Sequence, residues 1–230
     1  MTPDIETITV LHVDDEPGFP EMVASFLARE DDRFEVKTAN SPRRGAELLR
    51  RDAIDCIVSD YDMPNQDGIE FLESVRETRP DLPFILYTGK GSEAVASDAI
   101  SAGATDYLQK QSGNEQYELL ANRILNAVER YNTERELHQR SSAIEASIDG
   151  IAILNRNDEY AFVNQAHADA YGYDDPVALR GNTWRMCYGE AEIEWFESEV
   201  FPTLAETGES RGERVGTRRD ATRFPSRLSG

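Results

Sequence analysis

Cysteine and lysine are both scarce in this chain. Of 230 residues, two are cysteines, Cys56 and Cys187, and Cys56 lies inside an apolar run typical of a buried strand. A disulfide framework is therefore not expected, and the composition fits a reducing cytoplasm. No apolar stretch reaches the length of a membrane span, and residues 1–6 lack the basic start of a signal peptide. These absences argue against secreted and membrane-embedded classes and predict a cytoplasmic protein.

Positive charge is also in short supply. The formal net charge is −20, and the sequence pI is about 4.5. Such a chain lacks the basic face that direct nucleic-acid binding needs. Its lysines are Lys37, Lys90 and Lys110. An acidic, lysine-poor composition resembles proteins of salt-loving organisms, and an ordinary acidic cytoplasmic protein is the alternative interpretation.

The first half of the sequence alternates strand and helix patterns. Apolar runs end at residues 13, 39, 59, 87 and 109, and segments with apolar residues at helical spacing separate them. Five strands joined by helices predict an α/β fold with a doubly wound, five-stranded parallel sheet covered on both faces.

Polar residues stand where four of these strands end. Asp14 and Asp15 follow the first strand, Asp60 the third, Thr88 the fourth and Lys110 the fifth. A single aspartate at a strand end is usually a helix cap or a solvated loop residue. The carboxyl ends of parallel strands, however, converge on one crevice, where ligands bind. The set predicts a hard-cation site beside a phosphate site, with a nucleophile between them.

With Asp62-Met63-Pro64 and Gly68 following Asp60, residues 5–125 resemble the receiver domain of two-component response regulators. The resemblance implies a flavodoxin-like fold and a role for each site residue. Asp60 would accept the phosphoryl group. Asp15, Asp60 and the backbone carbonyl of Asp62 would bind Mg²⁺, with Asp14 holding it through water. Thr88 and Lys110 would contact the phosphoryl oxygens.

The resemblance implies three further roles. Tyr107, three positions before Lys110, would change rotamer when Thr88 moves toward the phosphate. Asp62 and Lys90 would tune how long the acyl phosphate lasts. Most receivers place a cis proline after the lysine, whereas this chain has Gln111. A cis bond there would cost roughly 3 kcal/mol, so a different loop path is expected.

A second function class shares part of this pattern. Asp60-Tyr61-Asp62 is also an Asp-x-Asp at a strand end, as in haloacid-dehalogenase-type phosphatases, whose first aspartate is the nucleophile. Those enzymes carry the motif on their first strand and an acidic pair later. Here the acidic pair comes earlier, at Asp14-Asp15, so the sequence favours the receiver.

The remaining chain changes in texture. Residues 126–141 are predicted to form a connector helix, with a solvated linker as the alternative interpretation. Residues 144–150 predict a short helical entry, and the turn signal at residues 155–158 predicts a hairpin. Residues 142–230 resemble a PAS sensory domain, an α+β fold, through IDGIAI at 148–153, YAFVN at 160–164, YGY at 171–173 and LRG at 179–181. The segments 206–208 and 211–220 fit its closing hairpin, with Ala221 in place of the usual glycine. Only four of the five PAS strands are expected, so either the sequence is an N-terminal piece of a longer protein, with an incomplete PAS domain, or the residues beyond about 142 are poorly ordered. The alternatives for this domain are a bound small ligand of unidentified chemistry and a ligand-free dimerisation or relay module.

Together these features predict phosphorelay signalling. A histidine kinase would phosphorylate Asp60 with Mg²⁺ as cofactor, and the receiver would relay the signal to the PAS region and a downstream output domain or protein. A homodimer is compatible with this organisation. The alternative is the N-terminal part of a hybrid sensor histidine kinase, although these residues contain no recognisable kinase core.

The charge yields a first testable prediction. Because self-repulsion at a net charge of −20 is screened by salt, the free energy of unfolding should rise from ~0.1 M to ~3 M KCl. Urea unfolding at several KCl concentrations measures it. A series with sodium acetate separates screening, which follows ionic strength, from effects of one salt. An unfolding midpoint that stays constant or falls with added salt would contradict the prediction.

Overall fold

A computed structural model describes residues 7–89 and 92–229. The chain forms two units, Met1–Glu136 and Leu137–Gly230. The N-terminal unit contains five strands and the helices between them. They are β1 (Ile8–Val13), α1 (Phe19–Glu30), β2 (Phe34–Ala39), α2 (Pro42–Arg51), β3 (Cys56–Ser59), α3 (Gly68–Arg76), β4 (Phe84–Thr88), α4 (Glu93–Ser101), β5 (Asp106–Gln109) and α5 (Glu115–Glu145).

All five strands run parallel in the order β2-β1-β3-β4-β5. This is the flavodoxin-like order, in which the chain reverses direction across the sheet at β1 and β3. The predicted doubly wound parallel sheet is therefore confirmed. Register fixes the strand ends, because Val13 pairs with Ser59 and Thr88 pairs with Gln109. The residues that follow these pairs consequently lie at one edge of the sheet.

Apolar side chains fill both faces of the sheet. One core lies against α2, α3 and α4, and its fully buried members include Leu11, Ile57 and Leu86. The other lies against α1 and α5 and includes Val10, Val58 and Ile85. Consecutive strand residues thus enter opposite cores, as strand geometry requires. Nearly continuous apolar strands are the pattern expected of a sheet covered on both sides.

Local signals set where the helices begin. The Ser41 side chain accepts a hydrogen bond from the Arg44 backbone N–H, and proline follows at the first helical position. Asp67 caps α3 in a capping box with Glu70. Gly103, with φ of 92°, follows the end of α4 in the left-handed conformation expected of a glycine there.

The fifth helix is much longer than the sheet it covers. Its first turns bury Tyr117, Leu120, Ile124 and Val128 against the N-terminal unit, and the helix ends at Glu145. The sequence pattern predicted a separate short helical entry at 144–150, and this is wrong. Glu145 closes α5, and residues 146–150 form turns because Ser147, Asp149 and Gly150 favour them. Within 7–89 and 92–229, no helix is long and apolar enough to cross a membrane.

The C-terminal unit combines two hairpins with short helices. Its elements are β6 (Ala152–Leu154), β7 (Tyr160–Val163), α6 (Gln165–Ala170), α7 (Glu190–Trp195), α8 (Phe201–Thr207), β8 (Arg211–Thr217) and β9 (Arg223–Ser229). Short 3₁₀ turns cover Pro176–Ala178 and Trp184–Cys187, and a π-helical turn covers Phe196–Val200. The hairpin predicted around residues 155–158 is confirmed. The turn at Trp184 and the helix α8 were not predicted, because neither has enough apolar periodicity.

Aromatic side chains dominate the core of this unit. Tyr160, Tyr171, Trp184 and Phe196 are buried together with Cys187. Trp184 contacts Phe196 at a centroid distance of 4.9 Å, and Tyr171 contacts Phe224 of β9 at 5.1 Å. Burial raises the pKa of the Cys187 thiol, so it stays protonated as a packing residue. Elements from both hairpins therefore cover one aromatic core.

The turn between β8 and β9 is strained at one residue. Ala221 has φ of 66°, in the left-handed region that favours glycine. Relief of the Cβ clash is worth ~1–2 kcal/mol and is partly offset by the greater entropy of unfolded glycine. Ala221→Gly should therefore stabilise the C-terminal unit, by less than ~1 kcal/mol.

Tryptophan fluorescence during urea unfolding of the full chain measures this, because both tryptophans, Trp184 and Trp195, belong to that unit. Ala205→Gly, in the helix α8, is the control. Glycine there should cost ~1 kcal/mol. Equal losses in both variants would show that Ala221 is not strained.

Candidate functional site

Carboxylates meet at the ends of β1 and β3. Because Val13 and Ser59 are partners in the sheet, Asp14 and Asp60 follow side by side. Backbone bonds continue past the strands: Asp60 N–H donates to the Val13 carbonyl, and Asp14 N–H donates to the Ala39 carbonyl. Both aspartates are buried, Asp14 at 1% and Asp60 at 6% exposure. Two buried carboxylates in contact with one crevice demand a cation.

Lys110 supplies positive charge between them. Its Nζ donates to Asp14 Oδ2 at 2.6 Å and lies 3.1 Å from Asp60 Oδ1. Lys110 follows β5, and its backbone N–H donates to the Thr88 carbonyl at 2.8 Å. The pairing of β4 with β5 therefore positions the Lys110 backbone beside the two carboxylates. Asp60 Oδ1 is buried, and no donor in 7–89 or 92–229 satisfies it with hydrogen-bond geometry. A buried oxygen with only an ion pair beside it is available to a ligand.

Burial and charge shift the pKa values of this pair. Burial raises the pKa of Asp14, and the hydrogen bond from Lys110 only partly counters it. Burial alone would lower the pKa of Lys110, but the hydrogen bond to Asp14 and the charges of Asp14 and Asp60 outweigh it, so the net shift is upward. Lys110 therefore remains charged at neutral pH and can act on anionic groups.

Aromatic rings line the crevice on the α1 side. Lys110 Nζ lies 4.2 Å from the centroid of Phe19, a cation–π contact, and Phe19 stacks on Tyr87 with centroids 6.2 Å apart. His12 lies 6.0 Å from Phe19 and is fully buried. Burial, reinforced by the charge of Lys110, lowers the pKa of His12 to about 3, so it stays neutral. The ammonium is consequently flanked by acids on one side and apolar rings on the other.

The loop after Asp60 is tightly built. Asp62 N–H donates to Asp60 Oδ2 at 3.0 Å, and Gly68 N–H donates to the Tyr61 carbonyl. Asn65 has φ of 69°, a left-handed conformation that asparagine tolerates. A Cβ on Gly68 would lie 2.2 Å from the Asp60 backbone oxygen. Only glycine fits at this position, so α3 can begin directly beside Asp60.

The other predicted site residues lie around this centre. Asp15 is half-buried and lines a recess of about 430 Å³ together with Asp14. Asp62 is exposed, Thr88 is buried at the end of β4, and Tyr107 is half-buried against the core that faces α3 and α4. Lys90 lies outside the described residues. Roles for these residues in metal binding, switching and tuning stay predictions.

The peptide bond after Lys110 differs from the cis bond that the resemblance to receivers describes. No peptide bond in 7–89 and 92–229 is cis, so Lys110–Gln111 is trans. Gln111 keeps a backbone N–H, which donates to Gln116 Oε1 at 3.0 Å. A proline has no such donor. The expected different loop path is thus accompanied by a hydrogen bond that a proline could not make.

The donor set suits a hard divalent cation. Mg²⁺ prefers oxygen ligands and typically uses one or two carboxylates, with water and phosphate completing the octahedron. Asp15, Asp60 and the carbonyl of Asp62 are the oxygen groups that the sequence predicts as ligands. The described part of the chain contains no group of three acidic, histidine or cysteine side chains arranged to hold a metal by themselves.

Comparisons with known proteins agree with this site. The family described as "Response regulator receiver domain" matches residues 10–122. The probable transcriptional regulatory protein TcrX of Mycobacterium tuberculosis is 32% identical over 122 residues, which are 53% of this chain and 51% of that protein. The response regulator MprA of Mycobacterium leprae is 35% identical over 112 residues, 49% of this chain and 47% of that protein. The chain thus spans about half of these two relatives.

Solved structures show the same relationship. A response regulator receiver domain protein from Clostridium thermocellum superposes with a TM-score of 0.50 at 27% identity, covering 55% of this chain and 98% of that one. A CheY-like receiver domain protein from Methanospirillum hungatei gives 0.50 at 23% identity over 56% of this chain and 99% of that one, a likeness of fold alone.

The fold and site define a flavodoxin-like α/β domain with an acidic crevice at the carboxyl ends of its strands. Residues 10–122 are a response regulator receiver domain, a component of phosphorelay signalling. Receiver domains generally bind Mg²⁺ at their phosphorylation site. The haloacid-dehalogenase alternative is not favoured by any of these matches.

The sequence pattern missed three residues of the site. Phe19 and Tyr87 were assigned only to a helix stripe and a strand, and Gln116 was not singled out. Strand alternation could have indicated Tyr87, since Leu86 and Tyr87 must face opposite cores. Contacts of Phe19 and Gln116 with residues about 90 and 30 positions away leave no local signal.

Gly68 yields a prediction about this site. In Gly68→Ala the new Cβ would meet the Asp60 carbonyl at 2.2 Å and Leu86 Cδ1 at 2.8 Å. Backbone must move, so we expect a loss of ~1–3 kcal/mol in the free energy of unfolding. Far-UV circular dichroism during urea unfolding of the full chain measures it. Gly89→Ala, whose Cβ would meet only Lys110 Cδ at 3.9 Å, is the matched control. Equal stability of the two variants would contradict the close approach.

Proposed function

We propose that Asp60 accepts a phosphoryl group from the phosphohistidine of a partner kinase. The observation that carries this is the buried Asp60 carboxylate, whose Oδ1 lies 3.1 Å from the Lys110 ammonium and has no hydrogen-bond donor among residues 7–89 and 92–229. The carboxylate is held in place by the sheet and by the Asp62 N–H. A positioned nucleophile beside a fixed cation is what phosphoryl transfer requires, since catalysis there rests on positioning and charge stabilisation.

The transfer exchanges one bond to phosphorus for another. An Asp60 carboxylate oxygen attacks the phosphorus, a P–O bond forms, and the P–N bond to the donor imidazole breaks. The imidazole leaves with the electron pair and takes up a proton. Lys110 stabilises the charge on the transferring oxygens. The Thr88 hydroxyl would donate a hydrogen bond to one of these oxygens. Mg²⁺, held by Asp15, Asp60 and the Asp62 carbonyl with Asp14 acting through water, would supply further charge neutralisation.

Three residues would convert phosphorylation into a signal and set its duration. Tyr107 lies on β5, half-buried beside the core against α4, so movement of Thr88 toward the phosphate would give its ring space to turn inward. Such a change would alter the surface formed by α4, β5 and α5. Asp62 is exposed beside the acceptor, and we propose that together with Lys90 it controls water access to the acyl phosphate.

We further propose that residues 142–230 are a PAS-like relay region that receives the signal through α5. Its α+β content and two hairpins around one aromatic core support this assignment. The region either binds a small ligand or relays the signal without one, and a homodimer is compatible with both. The downstream output would lie in another domain or protein. A hybrid sensor histidine kinase would use the same receiver chemistry.

Intact mass spectrometry tests the central proposal. The full chain is incubated with Mg²⁺ and acetyl phosphate in high salt and is expected to gain one acid-stable, base-labile phosphate. Asp60→Asn should gain none because an amide is not a nucleophile here. Asp81→Asn, an exposed aspartate before β4, makes the same chemical change away from the site and should react as wild type. Omitting Mg²⁺ should abolish the reaction. A phosphate retained by Asp60→Asn, or none on folded wild type, would refute the proposal.

A further inference from the structure

One side-chain oxygen joins three elements next to the acceptor site. Gln116, in the first turn of α5, accepts at Oε1 from the Gln111 backbone N–H at 3.0 Å and also from the Tyr87 hydroxyl. Its Nε2 donates to the Gly113 carbonyl at 2.9 Å. The contacts therefore connect β4, the loop after β5 and α5. We refer to the Tyr87 hydroxyl, the Gln111 backbone N–H and the Gln116 side chain as the amide clamp.

The orientation of the Gln116 amide is determined by its partners. The Gln111 N–H and the Tyr87 O–H are donors, and the Gly113 carbonyl is an acceptor. Turning the amide over would place its NH₂ group against the N–H donor and its oxygen against the carbonyl. Burial raises the pKa of Tyr87, so its hydroxyl stays protonated and remains a donor. Only a side chain with an acceptor at this point can hold both groups.

The amide clamp lies directly beside the residues of phosphoryl transfer. Tyr87 precedes Thr88, and Gln111 follows Lys110. Tyr87 is 1% exposed, and its ring stacks on Phe19, which contacts the Lys110 ammonium. The ammonium itself lies 5.9 Å from the Tyr87 ring. Lys110 is thus constrained at its backbone through Gln111 and along its side chain by the two rings.

We propose that Gln116 is a positioning residue for Lys110: through the amide clamp it fixes the trans loop after β5 so that the ammonium stays aimed at Asp60. Gln116 has no contact with the carboxylates, and it acts through Gln111 and Tyr87. The inference rests on the proposed function. A side chain at the start of α5 fixes this loop and thereby contributes to phosphoryl transfer.

Variants of the amide clamp test the proposal in the full chain. Gln116→Ala removes the acceptor, Tyr87→Phe removes one donor while keeping the ring, and Gln111→Pro removes the other. Each should slow phosphorylation by acetyl phosphate, by about tenfold for Gln116→Ala, because misplacing a catalytic group by a fraction of an ångström is costly. Gln111→Ala keeps the N–H and is the matched control for Gln111→Pro. It should react at the wild-type rate.

Two readouts separate positioning from a merely structural role. Gln116→Glu retains an acceptor for both donors and should recover most of the rate lost in Gln116→Ala. The Kd for Mg²⁺, measured by calorimetry, should stay within about twofold of wild type in all variants, since the predicted ligands lie outside the amide clamp. If Gln116→Ala fails to fold, Tyr87→Phe and the Gln111 pair provide the same comparison.

The outcomes distinguish this inference from the proposed function. Rates close to wild type in Tyr87→Phe and Gln111→Pro, or a Gln116→Glu variant as slow as Gln116→Ala, would overturn the positioning role alone. Equal slowing in Gln111→Ala and Gln111→Pro would also overturn it, because the backbone N–H would then be irrelevant. Absence of phosphate on folded wild type would overturn the proposed function together with this inference.

Discussion

The ion pair between Lys110 and the buried carboxylates of Asp14 and Asp60 is the interaction on which the site depends. Its distances, 2.6 Å to Asp14 and 3.1 Å to Asp60, exist because three strands end at the same edge of the sheet. Without the ammonium, two negative charges would share a poorly solvated crevice, at a cost that burial increases. The two buried carboxylates therefore favour a cation beside them.

The two faces of the sheet contribute different environments to this edge. On the side of α1 and α5, Phe19, Tyr87 and His12 form an apolar, neutral wall against Lys110. On the other side, Gly68 permits the chain to turn within contact of the Asp60 backbone, so that α3 starts beside the acceptor. A low-dielectric wall strengthens the ion pair, while the tight loop restrains Asp60. The positions of Lys110 and Asp60 are thus set by packing and backbone geometry.

The helix α5 belongs to both units of the chain. Its first turns bury apolar residues against the sheet and carry Gln116, and its last turn, at Glu145, ends where the C-terminal unit supplies partners. There Asn164 donates to the Ile144 carbonyl, which satisfies one of the acceptors left at a helix C-terminus.

Much of the N-terminal unit follows from the sequence, because its signals are local. Apolar runs predict the strands, and Ser41-Pro42 marks a helix start. The order of Asp14, Asp60, Thr88 and Lys110 at strand ends predicts a shared crevice. Spacing alone predicts a cation site beside a phosphate site. The resemblance carried by those residues assigns a role to each of them. Tertiary structure alone determined that Lys110 lies between two carboxylates, that Phe19 and Tyr87 flank it, and that Gln116 holds the loop beside it. These contacts join residues distant in sequence through side-chain direction and register, which are fixed only when the sheet and its helices pack together.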